Sequence, residues 1–236
     1  MNSNLRIVSD ILDFNKNRPD DIYIYFDKKN ISTVYSMIVG PQSTPYFGGY
    51  FFFEIKFPSN YPSNSPSVKF LTTDGDVRFN PNLYANGKVC LSILGTWSGP
   101  KWEPVMTMKS VLLSIQSLLC EIPLRNEPGY TNVEPTNTIS LQYTQYVIYN
   151  VYKIGIMDIL DNKIIDSVIY REFKDIIILN LKKNYNNLKN DLLSYSEIYG
   201  SVPYINPVYS SKTGKINLDF IELCKKFIDF TKNKVE

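Results

Sequence analysis

The 236-residue sequence contains no histidine. That absence removes the imidazole on which cysteine and serine hydrolases rely as a general base. It also removes a common zinc ligand, and three cysteines without a CxxC pair do not make a structural zinc site. An odd, sparse set of three is no disulfide framework either, so the chain reads as an intracellular protein in a reducing compartment, cytoplasmic or nuclear. A dominant charge is missing too: 25 Lys and Arg against 23 Asp and Glu leave a net charge of +2. Nucleic-acid binding needs concentrated basic residues, and the densest stretch, Lys182 to Lys189, is diluted by asparagines and reads as a solvated helix face. The N-terminus shows no apolar core or cleavage site of a secretory signal. The longest apolar run, Val147 to Leu160, is broken by Asn150, Lys153 and Asp158, which is too short and too polar to span a bilayer.

What is present suits a folded chain of one or two domains: 44% apolar and 20% charged residues. Ile7, Ile11, Leu12 and Phe14 recur at helical spacing, and Arg18-Pro19 ends that helix. Short β-type runs follow at Ile22 to Phe26, Thr33 to Val39, Tyr50 to Phe57 and Ser67 to Leu71. The third alternates Phe51, Phe53, Ile55 and Phe57 against Glu54 and Lys56, which predicts a half-buried antiparallel strand after a Gly48-Gly49 turn. From Asp74 to about Val105 no regular element is expected. A helix from about Thr107 to Glu121 follows, with Val111, Leu112, Ile115, Leu118 and Leu119 on one stripe and Gln116, Ser117 and Cys120 on the other side. After Asn126-Glu127-Pro128-Gly129 long helical patterns take over, with stripes through Ile165, Ile169, Phe173 and Ile177 and through Phe220, Leu223, Cys224 and Phe227. Between those stripes, Gly200 to Gly214 reads as a loop. The fold class expected is α+β. It comprises a core of residues 1–133 (helix, four-stranded meander, irregular segment, helix) and a C-terminal helical extension of residues 134–236 packed on it.

The chemistry concentrates around Cys90, in the irregular run RFNPNLYANGKVCLSIL. The pieces IVGPQSTPYFGGYFFFEIKFPSNYP, SVKFLT, FNPN, NGKVCLSIL, WEP and VLLSIQSLLCEIP, in this order between Met37 and Ile122, resemble the core of a ubiquitin-conjugating enzyme. Larger members of that family share the GTW…W stretch, the NEPGY run and a C-terminal helical extension. The resemblance implies that Cys90 accepts ubiquitin from an activating enzyme as a thioester and passes it to a substrate lysine or to a ligase. ATP is consumed by the activating enzyme, so no cofactor is expected on this chain, which is read as a monomer whose partners are ubiquitin, an activating enzyme, a ligase and substrate proteins. Thiol exchange at an activated acyl carbon needs no imidazole, which reconciles a working cysteine with the missing histidine.

The family pattern also assigns roles by position. Asn82 matches the asparagine that donates to the oxyanion, supports the loop, or does both. Asn80 stands where the family has histidine, and its amide offers both a donor and an acceptor in exchange. Asn126 and Glu127 fall near the family's gate for the incoming lysine, with a turn-forming role as the alternative. Leu113, Gln116 and Ser117 match the surface on which conjugated ubiquitin folds back, although Leu113 fits the core equally well. Ser63 in YPSNSP and Trp102 and Pro104 in TWSGPKWEP mark the two ligase loops, both altered from the usual pattern. Cys120 and Cys224 fall on predicted helices as small packing residues. Two other readings stay open: a conjugating enzyme for another ubiquitin-like modifier, and a catalytically weak ubiquitin-binding module of the same fold. A redox-active thiol would need a resolving cysteine nearby in sequence, and none is present.

Overall fold

The computed structural model describes residues 3–206, 208–209 and 215–235. Helix α1 (Ser3–Lys16) buries Ile7, Ile11 and Phe14, the i, i+4, i+7 stripe, against the sheet. Four strands follow, β1 (Ile22–Asp27), β2 (Asn30–Val39), β3 (Tyr50–Lys56) and β4 (Ser67–Phe70), in the order β1-β2-β3-β4 and antiparallel throughout. The pairing Ile38↔Phe51 and Ser36↔Phe53 places Phe51 and Phe53 on the inner face, where they meet Phe70 and Phe79. Helix α2 (Met108–Leu118) closes that core with Val111, Leu112 and Ile115. Thr107 caps its N-terminus by accepting from the Ser110 N–H, with Ser110 bonding back to Thr107.

The predicted half-buried β3 is covered on both faces over most of its length. Tyr50 and Phe52, on the face carrying Glu54 and Lys56, are as buried as Phe51 and Phe53. Their cover comes from later in the chain. Helix α3 (Thr138–Asn150) runs into a π-helical stretch (Val151–Asp158), and the 33-residue α4 (Ser167–Tyr199) crosses the sheet. Phe173 of α4 meets Phe52 edge to face at 5.3 Å, and the Tyr50 hydroxyl donates to the Ile177 carbonyl at 2.9 Å. Gly48 and Gly49 lie directly under these helices. A Cβ on Gly48 would stand 2.6 Å from Leu188 Cδ2, and one on Gly49 2.9 Å from Val151 Cγ1, so close approach adds to the turn as a reason for glycine.

Two sequence expectations need correction. Residues 201–205 of the expected loop form β5 (Ser201–Ile205), which pairs antiparallel with β6 (Lys215–Asp219) ahead of α5 (Phe220–Val235). Pro203 reads as a breaker, but in a two-stranded ribbon its missing N–H leaves no inner ladder position unfilled, and Tyr204 beside it is buried. Residues 207 and 210–214 of that expected loop lie outside the described residues. Cys120 lies beyond the end of α2, not on it, because the helix stops at Leu118. There the Leu118 carbonyl accepts from the side-chain amides of Asn80 and Asn126. These amides replace the backbone N–H that another turn would have supplied. Cys224 sits buried on α5 with Phe220, Leu223 and Phe227. No helix among the described residues is long and apolar enough to cross a membrane.

Candidate active site

The irregular segment between β4 and α2 holds its shape through side chains, since it has few backbone ladders to rely on. Asn80 is fully buried, and its amide makes three bonds. Its nitrogen donates to the Tyr46 hydroxyl at 2.9 Å and to the Leu118 carbonyl at 2.8 Å, while its oxygen accepts from the Asn82 N–H at 2.9 Å. The expected trade of histidine for a donor-plus-acceptor amide is therefore what this loop uses. Two residues on, Asn82 and Cys90 are tied twice: the Cys90 N–H donates to the Asn82 carbonyl at 2.9 Å, and the Asn82 side-chain nitrogen donates to the Cys90 carbonyl at 2.7 Å. The Thr96 hydroxyl bridges the other flank, donating to the Val89 carbonyl and accepting from the Leu91 N–H.

Cys90 lines an open cleft of about 410 Å³ together with Asn82 and Leu118; Trp97, Arg125, Asn126 and Glu127 are also among its lining residues. Cys90 is only 1% exposed. Its thiol is thus placed but covered, where the run around it suggests a presented one. Both gate candidates reach the cleft, with different attachments. The Asn126 amide is spent on the Leu118 carbonyl at 3.1 Å and the Cys120 sulfur at 3.7 Å. Glu127 accepts from the Tyr209 hydroxyl at 2.5 Å. Burial, reinforced by that bond to Glu127, pushes the Tyr209 hydroxyl well above its ordinary value.

The other predicted residues sort by surface. Leu113 is 42% exposed, which settles its alternatives in favour of the surface, and Ser117 is exposed on the same helix. Gln116 is half-buried and donates to the Asp20 carbonyl at 3.1 Å. The loops that carry Ser63 and Trp102 touch: the Trp102 indole N–H donates to the Pro62 carbonyl at 2.7 Å, next to the exposed Ser63. Arg6 of α1 joins them, donating to the carbonyls of Pro104 and Met106 and pairing with Asp10 at 2.8 Å. Asp10 in turn accepts from the Tyr61 hydroxyl. Leu5, Val8 and Leu12 of α1 stand exposed on one stripe, and so does Val105 beside Pro104.

Sequence reasoning missed Thr96, Tyr46, Arg78 and Tyr209. Tyr46 and Tyr209 reach the site from residues 34 and 82 positions away from their partners, and no local spacing announces such contacts.

Comparison with known proteins gives the family. The family model described as ubiquitin-conjugating enzyme matches residues 6–146, a span that contains all but the first three residues of α1, the sheet, the Cys90 segment and α2. Ubiquitin-conjugating enzyme E2 Z of Xenopus tropicalis is 42% identical over 160 residues, covering 67% of this chain and 51% of that protein. The Homo sapiens protein of the same name is 42% identical over 160 residues, covering 67% of this chain and 45% of that one. The solved structure of human ubiquitin-conjugating enzyme E2 G1 aligns with 50% of this chain and 93% of its own, at 31% identity and a TM-score of 0.43. The chain spans about half the length of the curated relatives it matches. With more than half of its residues, Cys90 among them, inside the matched span, the chain belongs to the ubiquitin-conjugating enzyme family.

Proposed function

We propose that this chain carries ubiquitin as a thioester on Cys90, taking it from an activating enzyme and passing it to a substrate lysine or to a ligase. In loading, the Cys90 thiolate attacks the acyl carbon of the activating enzyme's thioester; a new C–S bond forms, the old one breaks, and the departing thiolate takes up the proton. In discharge, a neutral lysine amine attacks the same carbon, an amide forms, and Cys90 leaves as thiolate while the amine sheds its proton to water. Neither step cleaves an unactivated amide, so neither requires an imidazole, in keeping with a chain that has none. ATP is spent on the activating enzyme, and no cofactor acts on this chain.

The observation that carries this reading is the double tie between Asn82 and Cys90, which line one cleft. An amide nitrogen has two hydrogens. One holds the Cys90 carbonyl, and the other is available to the oxyanion that forms when the amine attacks. Leu113 and Ser117 supply an exposed helix face for the carried ubiquitin, and the joined loops with the α1 stripe supply one for activating enzyme and ligase.

The test is a charging reaction with ubiquitin, activating enzyme and ATP, resolved on a non-reducing gel. An adduct of one ubiquitin mass, released by thiol reductant and absent in Cys90→Ala, is expected. No adduct from an activating enzyme that is itself visibly charged overturns the ubiquitin reading. An adduct with a different ubiquitin-like modifier in the same assay would then identify the alternative cargo.

A further inference from the structure

The hairpin that precedes α5 reaches back to the cleft. Asn206, itself buried, accepts from the N–H groups of Val208 and Tyr209 at 3.0 and 2.9 Å, which fixes the turn that presents the Tyr209 ring. That ring lies on the Arg78 guanidinium at 4.0 Å, and Tyr84 covers the opposite side of Arg78 at 3.7 Å. Arg78 also donates to the Pro81 carbonyl, between Asn80 and Asn82. Tyr143 of α3 packs on the edge of Tyr209 and donates to the Arg78 carbonyl at 3.1 Å. With the ring held by Arg78 and Tyr143, the Tyr209 hydroxyl reaches one oxygen of Glu127 at 2.5 Å. Glu127 is half-buried and lines the Cys90 cleft, and no ion pair engages its carboxylate among the described residues.

A carboxylate that lines a cleft, with one oxygen held by a hydroxyl and no ion pair on it, suits a cationic visitor. In this cleft the visitor with that charge is the acceptor lysine. We propose that Tyr209 is a positioning residue: it orients Glu127 at the Cys90 cleft so that the carboxylate captures the ammonium group of the incoming lysine. The C-terminal hairpin thereby takes part in acceptor binding, a role that the Cys90 segment alone does not complete. This inference rests on the thioester reading above.

The experiment is single-turnover discharge. The chain is charged with ubiquitin, the activating enzyme is stopped, and free lysine is titrated in. Tyr209→Phe keeps the ring on Arg78 and removes only the hydroxyl. Its loading should match the unsubstituted chain while its apparent KM for lysine rises about three- to tenfold, the usual worth of one hydrogen bond. Glu127→Gln should raise KM likewise, and the double variant should be no worse than Glu127→Gln, because hydroxyl and carboxylate act as one unit. A Tyr209→Phe chain that discharges with unchanged KM, or a double variant whose effects multiply, overturns the proposal. If the unsubstituted chain never charges, the thioester reading itself fails, and the charging gel separates that outcome from the others. Tyr209→Ala serves as the contrast: a ring that only props up Arg78 would lower loading and discharge together while Tyr209→Phe stays silent.

Discussion

Phe173→Ala tests whether the later helices are part of what holds the sheet together. Phe173 is 1% exposed and sits edge to face on Phe52, one turn of α4 before the carbonyl that accepts from Tyr50. Removing a buried phenylalanine side chain costs about 3–5 kcal/mol through lost transfer energy and the cavity left behind. The edge-to-face pair accounts for roughly 1 kcal/mol of that. Against a typical domain stability of about 5–15 kcal/mol the change is large. At a urea slope of about 2 kcal/mol per molar, it moves the midpoint down by about 1.5–2.5 M. The two tryptophans offer a clean readout, because Trp97 and Trp102 both lie in the Cys90 segment and none lies beyond it. Their fluorescence follows the first part of the chain, while far-ultraviolet circular dichroism is dominated by α3, α4 and α5. The expectation is that both signals melt together in the unsubstituted chain and shift together in Phe173→Ala, with Phe173→Leu losing only about 1–2 kcal/mol. A shift confined to circular dichroism, with fluorescence unmoved, would refute the claim that α4 and the sheet form one cooperative body.

Two further outcomes follow from the site and the core. Asn82→Ala should still be charged by the activating enzyme but discharge to lysine about a hundredfold more slowly. It should also lose about 1–3 kcal/mol of stability, because the buried Cys90 carbonyl loses its partner; loading and discharge falling in parallel would make Asn82 a loop support only. Alkaline pH should unfold the chain. Burial pushes Tyr146 up to about 12 from 10.0 and holds Tyr46, Tyr143 and Tyr152 well above 10.0, so the folded state retains protons that the unfolded state releases. That contribution is intact below pH 10 and drains away as pH climbs toward 12. Phenolate absorbance of these four should therefore appear with unfolding, and a full tyrosine titration that precedes unfolding would contradict the burial argument.

The meander was legible because β3 alternates strictly on its inner face, and Cys90 with Asn82 was legible because both fall within one irregular segment that resembles the family's pattern. The second face of β3 was not. Glu54 and Lys56 mark that face as solvated at one end, and the cover over Tyr50 and Phe52 comes from Phe173 and Ile177, more than a hundred positions on. Nothing local distinguishes a strand with a wet outer face from one awaiting a distant helix. β5 was hidden for a different reason: Gly200, Pro203 and Asn206 all carry turn propensity, while the partner strand that overrides it begins at Lys215. Tyr209 belongs with these, since its value lies in where the hairpin carries it.

The covered position of Cys90 bears on how the chain behaves when idle. A cysteine that is 1% exposed, in a cleft it shares with Trp97, Ser98 and Pro128, is shielded from diffusing oxidants and bulky electrophiles that bring no binding energy of their own. A protein that docks on the surrounding loops can repay the opening of that cleft with its own contacts. The resting thiol is thus sorted by company more than by acidity: inert to what merely collides, and open to what first binds.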